Sequence, residues 1–474
     1  MNLRTKEIVP QPADPFKDDL LNRKCYANVL TNIIKHTGSG FTLSINADWG
    51  YGKTTFVKMW EAMLQSEGYK TIYFNAWETD FVADPMMAII DGLRNGFDGK
   101  DFSAEKIQKL SAILDAAIAI AKLLPTTNAP IISGVTAAIK NAIDKCLKNK
   151  NKLQRHQSVK KLVTEFRDQL ANFAKEIEEE KPLIIFVDEL DRCRPDYAVQ
   201  MLERIKHFFA IDNIIFVLSV DKHVICESIK AIYGGLNIDT EAYLRRFIDL
   251  EFLLPNPNIT DFISAQYQHH QIETCFDTYW DHMEKTYEGK DNSKEHLETI
   301  ISCFTSQEHS LRDVEKYFNR LSIVIRSVNP RDHWPEATVF LVYFYMFKDE
   351  IYKAYRNLNE DLPTFWHRLE ALLDSCAFDP KKNTYHEYIC NLILLLICYI
   401  NARKSNGYDK ETDTAIQELR DGQGKQWFPN EWKEYLLRML YEKPSELRYL
   451  CDTIELVSGN FNLRVMKEFM DDNQ

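Results

Sequence analysis

The sequence predicts an α/β fold: a three-layer sandwich with a parallel sheet between helices, a helical insertion, and an all-α C-terminal region. Three observations predict it. Short apolar runs alternate with amphipathic helical stretches through the first half of the chain. A glycine-rich turn joins the first run to a strongly patterned helix, and strand signals fade beyond Pro255-Asn256-Pro257. The chain has 474 residues, 45% hydrophobic and 27% charged, which suits two or three folded domains and excludes a disordered or fibrous chain.

Taken in order, Phe41–Asn46 is the first strand. It passes through Asp48-Trp49-Gly50-Tyr51-Gly52 into a helix with Phe56, Val57, Trp60, Met63 and Leu64 on one face and Gly68 at its stop. Thr71–Phe74 is the second strand. The long interval after it, with an Ala/Ile-rich stretch at Leu110–Ile143 and a lysine-rich one at Lys145–Lys161, reads as a helical insertion over about 100–180. Leu183–Val187 is five consecutive large apolar residues, the pattern of a strand buried on both faces. Pro195 opens a helix with the stripe Tyr197, Met201, Leu202, Ile205, Phe208 and Phe209. Ile214–Val220 and Ile248–Leu254 complete the sheet. The expected domains are 1–255, a helical segment at 256–330 and a C-terminal helical domain at 331–474, where Phe340–Phe347 and Ile389–Ile400 read as core stripes. His269-His270 reads as a solvated helix face.

Composition narrows the partners. With 58 Lys+Arg against 70 Asp+Glu the net charge is −12, which argues against broad, sequence-independent binding of nucleic acid but is compatible with a local basic groove. Ten cysteines without a CxxC pair match neither a zinc site nor a compact disulfide framework, and fit reduced thiols in the cytoplasm. Met1–Lys17 has no apolar core of a signal peptide. No uncharged apolar run reaches the ~18 residues of a spanning helix. Asp115, Lys122 and Pro125 break the most apolar part of the insertion, so no stable membrane insertion is expected.

The main chemical signal is Ala47-Asp48-Trp49-Gly50-Tyr51-Gly52-Lys53-Thr54-Thr55 between a strand and a helix. This is the P-loop pattern with Ala47 at the usual first glycine. Gly50 and Gly52 let successive N–H groups point at a phosphate, and the helix N-terminus adds partial positive charge. Lys53 neutralises β- and γ-phosphates, Thr54 ligates Mg²⁺, and the nucleotide is expected to be ATP. Asp188-Glu189 at the end of a buried strand is the order of a Walker B segment: Asp188 toward the metal, Glu189 as general base. Asp191 and Asp196 read as helix caps. At the end of Ile214–Val220, either Ser219 or Asp221 senses the γ-phosphate or orients the water, or Asp221 caps the next helix. Arg245-Arg246, before the last strand, either reaches a neighbouring subunit's nucleotide or balances a helix end.

Together these residues resemble the KAP family of P-loop NTPases. The resemblance runs from about Asp14 to about Leu321 and rests on Asp19-Leu20-Leu21-Asn22-Arg23, Ala-Asp-Trp-Gly-Tyr-Gly-Lys-Thr at 47–54, Phe74-Asn75-Ala76-Trp77-Glu78, Val187–Cys193, Phe216–Asp221 and Ser310-Leu311-Arg312-Asp313. It implies an additional-strand P-loop domain similar to the AAA+ and STAND groups, with a helical lid at 256–330. It also implies that Asp19–Arg23, Arg23 included, lies near the adenine and that Arg312, otherwise only a charged residue in a helix's first turn, reaches the γ-phosphate from the lid. Its further implications are an Mg²⁺-dependent ATPase in a homo-oligomer and, since bacterial members often belong to phage-exclusion systems, an anti-phage role with accessory defence-system proteins. Many members carry paired membrane-spanning helices between the Walker motifs; Leu110–Ile143 departs from that pattern.

Overall fold

The computed structural model describes residues 9–37, 39–82, 84–97, 104–123, 152–177, 181–234, 238–275, 293–305, 308–327 and 335–357, with 364, 365, 368 and 454. The chain divides into two units, one ending at Pro257 and one beginning at Asn258.

Five strands form the sheet of the first unit: β1 (Thr42–Asn46), β2 (Thr71–Asn75), β3 (Leu183–Asp188), β4 (Ile214–Val220) and β5 (Leu250–Leu253). Their order is β2-β3-β4-β1-β5, and every neighbouring pair is parallel. The P-loop strand β1 and the Walker B strand β3 therefore flank β4, which is the additional-strand arrangement. β3 and β4 are buried along their whole length because helices cover both faces, and their Ile, Phe and Val residues pack on both. The edge strand β5 instead alternates half-buried and exposed residues, and is shorter than the expected Ile248–Leu254.

Alternation along the strands sorts two cores. Ile184 and Phe186 of β3, with Ile215 and Val217 of β4, face the helices α1 (Lys24–His36) and α2 (Lys53–Ser66). There Trp60 is fully buried, meets Phe186 edge to face at 5.5 Å, and donates its indole N–H to Thr31 Oγ1 at 3.0 Å. Gly68 comes after α2 with a φ of 82°, the left-handed conformation that suits glycine at the end of a helix. On the opposite face, Leu183, Ile185 and Val187 join Ile214, Phe216, Leu218 and Val220. They pack with α3 (Pro85–Phe97), α4 (Ala104–Leu123), α5 (Lys152–Ile177), α6 (Pro195–Arg204) and α7 (Lys222–Tyr233). A short helix, α8 (Thr240–Leu244), precedes β5.

The described part of the insertion belongs to this second core. Leu110, Ile113, Leu114, Ala117, Ile118 and Ile120 of α4 are buried in it, and Phe166 of α5 meets Phe209 edge to face at 5.8 Å. Asp115 pairs with Arg94 of α3 at 2.6 Å. The apolar stripe of α4 is thus used in protein packing, and among the described residues no helix is long and apolar enough to cross a membrane. Pro125 and the stretch to Ile143 lie outside the described residues.

The second unit contains α9 (Ile259–His269), α10 (Ser293–Thr305), α11 (Leu311–Ser327), α12 (Pro335–Phe347) and α13 (Asp349–Asn357). Phe304 is its aromatic centre, within 5.1 Å of Tyr317 and 5.4 Å of Tyr343 between ring centroids. Phe340, Tyr343 and Phe344 of the expected core stripe are buried; Ile389–Ile400 and nearly all of the expected domain beyond Asn357 lie outside the described residues. The His269-His270 expectation needs correction. α9 ends at His269, so His270 leaves the helix face and stacks on Phe318 at 6.0 Å, where burial pushes its pKa down to about 4.

Candidate nucleotide site

The site lies at the carboxyl ends of the strands, where ligands of open α/β sheets bind. Gly50 (φ 84°) and Gly52 (φ 79°) carry the left-handed backbone of the loop between β1 and α2. Ala47 is not among the residues with positive φ, so a side chain is tolerated at that first position. Asp48 and Trp49 are exposed, Tyr51 half-buried, and Thr54 and Thr55 lie half-buried in the first turn of α2. Lys53 is buried and donates to the carbonyls of Ala47 at 2.5 Å and Asp48 at 3.3 Å. Arg23, also buried, reaches Gly52 O at 3.4 Å and Pro255 O at 3.5 Å, tying the start of α1 to the loop. Burial pulls its pKa down to about 10 against the opposing pull of Asp19.

Parallel register brings β2 beside the Walker B carboxylates, with Asn75 opposite Asp188. Asp188 is 1% exposed; Oδ1 accepts the Glu189 N–H at 2.9 Å and Oδ2 accepts the Tyr73 hydroxyl at 2.8 Å. Burial first, and the charge of Asp188 next, raise the pKa of Tyr73, so its proton stays on as a donor. Glu189 adopts a left-handed conformation (φ 59°), which costs a non-glycine residue about 1–2 kcal/mol and is the kind of strain found at working sites. That twist presents its carboxylate to Asn75 Nδ2 at 3.1 Å and to Arg192 Nη1 at 2.7 Å. Arg192 in turn stacks over the exposed ring of Trp77 at 5.6 Å.

The single helical turn Leu190–Arg192 also carries Asp191, whose Oδ2 accepts Trp49 Nε1 at 2.7 Å and the Asp221 N–H at 3.0 Å and lies 3.5 Å from Lys53 Nζ. It is no helix cap. Cys193 completes the segment; burial, with Asp80, Asp191 and Glu189 nearby, pushes its thiol up to about 12, so it packs as a neutral group.

The family described as "KAP family P-loop domain" matches residues 23–328, more than half of the chain. The chain belongs to the KAP family. No curated protein matches it. Among solved structures it is similar to Cdc6p from Pyrobaculum aerophilum, at 13% identity and a TM-score of 0.39, over 97% of this chain and 98% of that one. It is also similar to the Aeropyrum pernix ORC2 protein in its ADPNP–ADP complexes, at 14% identity and a TM-score of 0.35, over 90% and 97%.

Within this KAP domain the remaining candidates take different places. Asp221 caps α7: Oδ1 accepts the N–H groups of His223 at 3.0 Å and Val224 at 3.4 Å, the second of the two readings open to it. Ser219 is fully buried in β4, its Oγ without a hydrogen-bond partner among the described residues. Arg245 pairs with Glu241 at 3.7 Å on the exposed surface of α8, and Arg246 stacks over Tyr243 at 5.6 Å, both beside the edge strand. Arg312 is exposed in the first turn of α11, in the helical unit.

Residues and implied ligand are compatible. Asp188 is a buried carboxylate that no cation partners among the described residues, and it lies on the same sheet edge as the P-loop hydroxyls. Among the described residues no cluster of three or more metal-ligating side chains occurs. Sequence reasoning gave no site role to Tyr73, Asn75, Asp191 or Arg192: Asn75 and Arg192 entered only as motif residues, and Asp191 also as a helix cap. The order of strands was the missing signal, since Tyr73 and Asn75 reach the carboxylates only because β2 borders β3.

Proposed function

We propose that this KAP-family NTPase is an Mg²⁺-dependent ATPase that works as a nucleotide-driven switch in a multi-protein assembly. The observation that carries this is Glu189, held in a strained conformation beside the buried Asp188 on the edge that holds Lys53. Thr54 and Asp188 would hold Mg²⁺, which supplies charge neutralisation on the phosphates when bound. Lys53, Gly50 and Gly52 bind and orient the phosphates, and Arg23 fixes the loop from behind. Glu189 takes the proton of the attacking water, and Asn75 aims its carboxylate. Arg245 or Arg246 completes the site of an adjacent protomer, which the exposure of both supports. The family resemblance supports a cytoplasmic, homo-oligomeric protein of anti-phage defence acting with accessory proteins.

One observation favours a second reading, a nucleotide-gated scaffold with little turnover: both carboxylate oxygens of Glu189 are already engaged, by Arg192 and Asn75. Steady-state phosphate release separates the two. Turnover in the wild type that falls by about 10²–10⁴ in Glu189→Gln is the ATPase result. Equal, negligible release from both would leave the scaffold. For the arginines, Arg245→Ala/Arg246→Ala protein mixed with Lys53→Ala protein should regain activity that neither has alone; no recovery in a mixture shown to co-assemble would end the trans reading.

A further inference from the structure

Asp191 has no part in the chemistry above, yet three groups converge on one of its oxygens. Trp49 and Lys53 come from the P-loop, and the Asp221 N–H from the end of β4. Its side chain is only 3% exposed and that of Lys53 only 9%. The other contacts of the Lys53 ammonium are neutral carbonyls, so among the described residues Asp191 is the one carboxylate paired with it. A buried carboxylate cannot release a buried ammonium cheaply, because each would lose its countercharge without regaining water. Any phosphate that Lys53 binds therefore competes with Asp191 for the same charge, and meets the negative field of Asp191 as well. Yet two hydrogen bonds, from the Trp49 indole and the Asp221 amide, satisfy that carboxylate independently of Lys53 and fix it in place.

We propose that Asp191 is a positioning residue that limits the affinity of the site for β-phosphate-bearing nucleotides by holding the ammonium of Lys53. The proposal rests on the nucleotide reading of the P-loop. A site restrained in this way releases ADP faster than one whose lysine is free. Asp191 and Arg192 share one turn, so the residue that holds Lys53 and the residue that holds Glu189 are chain neighbours.

The sign of the effect separates this from a purely structural role. Asp191→Asn keeps an oxygen for the Trp49 and Asp221 donors and removes the charge. A charge within about 4–6 Å shifts a neighbour's equilibrium by about tenfold or more, so ADP should bind Asp191→Asn about tenfold more tightly by calorimetry. AMP, lacking the β-phosphate, should gain nothing. Trp49→Phe keeps the ring and deletes one donor to Asp191, which then leans more on Lys53; its ADP affinity should fall about two- to threefold. In a Lys53→Ala background Asp191→Asn should restore no binding. Unchanged or weaker ADP binding by folded Asp191→Asn, an equal gain for AMP, or rescue of Lys53→Ala would each overturn the proposal. If Asp191→Asn does not fold, unchanged or tighter ADP binding by Trp49→Phe overturns it alone. The wild type keeps the two levels apart: no ADP binding at all, or binding indifferent to Lys53→Ala, would instead defeat the nucleotide reading itself.

Discussion

β3 and β4 are neighbours, both wholly buried and mostly large and apolar; β3 ends in Asp188, and Asp221 directly follows β4. The two carboxylates are then used differently. After β4, Asp221 turns back on its own chain and caps α7 through two backbone N–H groups, as helix-capping aspartates do. After β3, Glu189 takes a left-handed conformation, and the Asp188 carboxylate is held by the Glu189 amide and by the hydroxyl of Tyr73 from the next strand. An aspartate that ends a buried strand is therefore ambiguous by itself. The Asp221 carboxylate closes on its own helix, whereas that of Asp188 is also met from another strand.

The sharpest way to break this comparison is to remove each charge in turn. Asp188→Asn should reduce Mg²⁺-stimulated phosphate release to background with the fold intact by circular dichroism; retained turnover would erase the distinction. Next in size is Tyr73→Phe. Loss of a group that orients a metal ligand costs about 10–100-fold in metal affinity, so the Mg²⁺ concentration for half-maximal activity should rise by that factor. An unchanged Mg²⁺ titration would reduce Tyr73 to packing. Asn75→Ala should lower turnover about tenfold while ADP affinity, read by calorimetry, stays constant, since only the aim of Glu189 is lost. The smallest effect belongs to Asp221→Ala. It should lower stability to urea by about 0.5–2 kcal/mol, the worth of a helix cap, and leave Mg²⁺ dependence untouched.

The sheet was legible because β3 and β4 consist of consecutive Ile, Phe, Val and Leu, which only a doubly covered strand can accommodate. Gly50, Gly52 and Lys53 were legible because a phosphate-cradling backbone demands those types at that spacing. The edge strand β5 was harder: half its residues face outward, and its expected ends are one or two residues too wide. The role of Asp191 was hidden, because three groups far apart in sequence meet on it only after β1, β4 and the turn after β3 are brought together. The same holds for Asp115. As a charge in an apolar stretch it argues against a membrane helix, but its partner Arg94 is apparent only once α3 and α4 pack.

The position of β4 between β1 and β3 has a consequence for distance. Strands in a sheet are spaced about 4.8 Å apart, so an intervening strand puts the ends of β1 and β3 about 9–10 Å apart. Adjacent strands would set a carboxylate on one almost against the loop at the end of the other. With one strand between them, the gap is about three oxygen diameters, enough for a terminal phosphoryl group and one solvent molecule in line behind it. The sheet acts as a ruler, and the width of the single strand β4 is the length it measures.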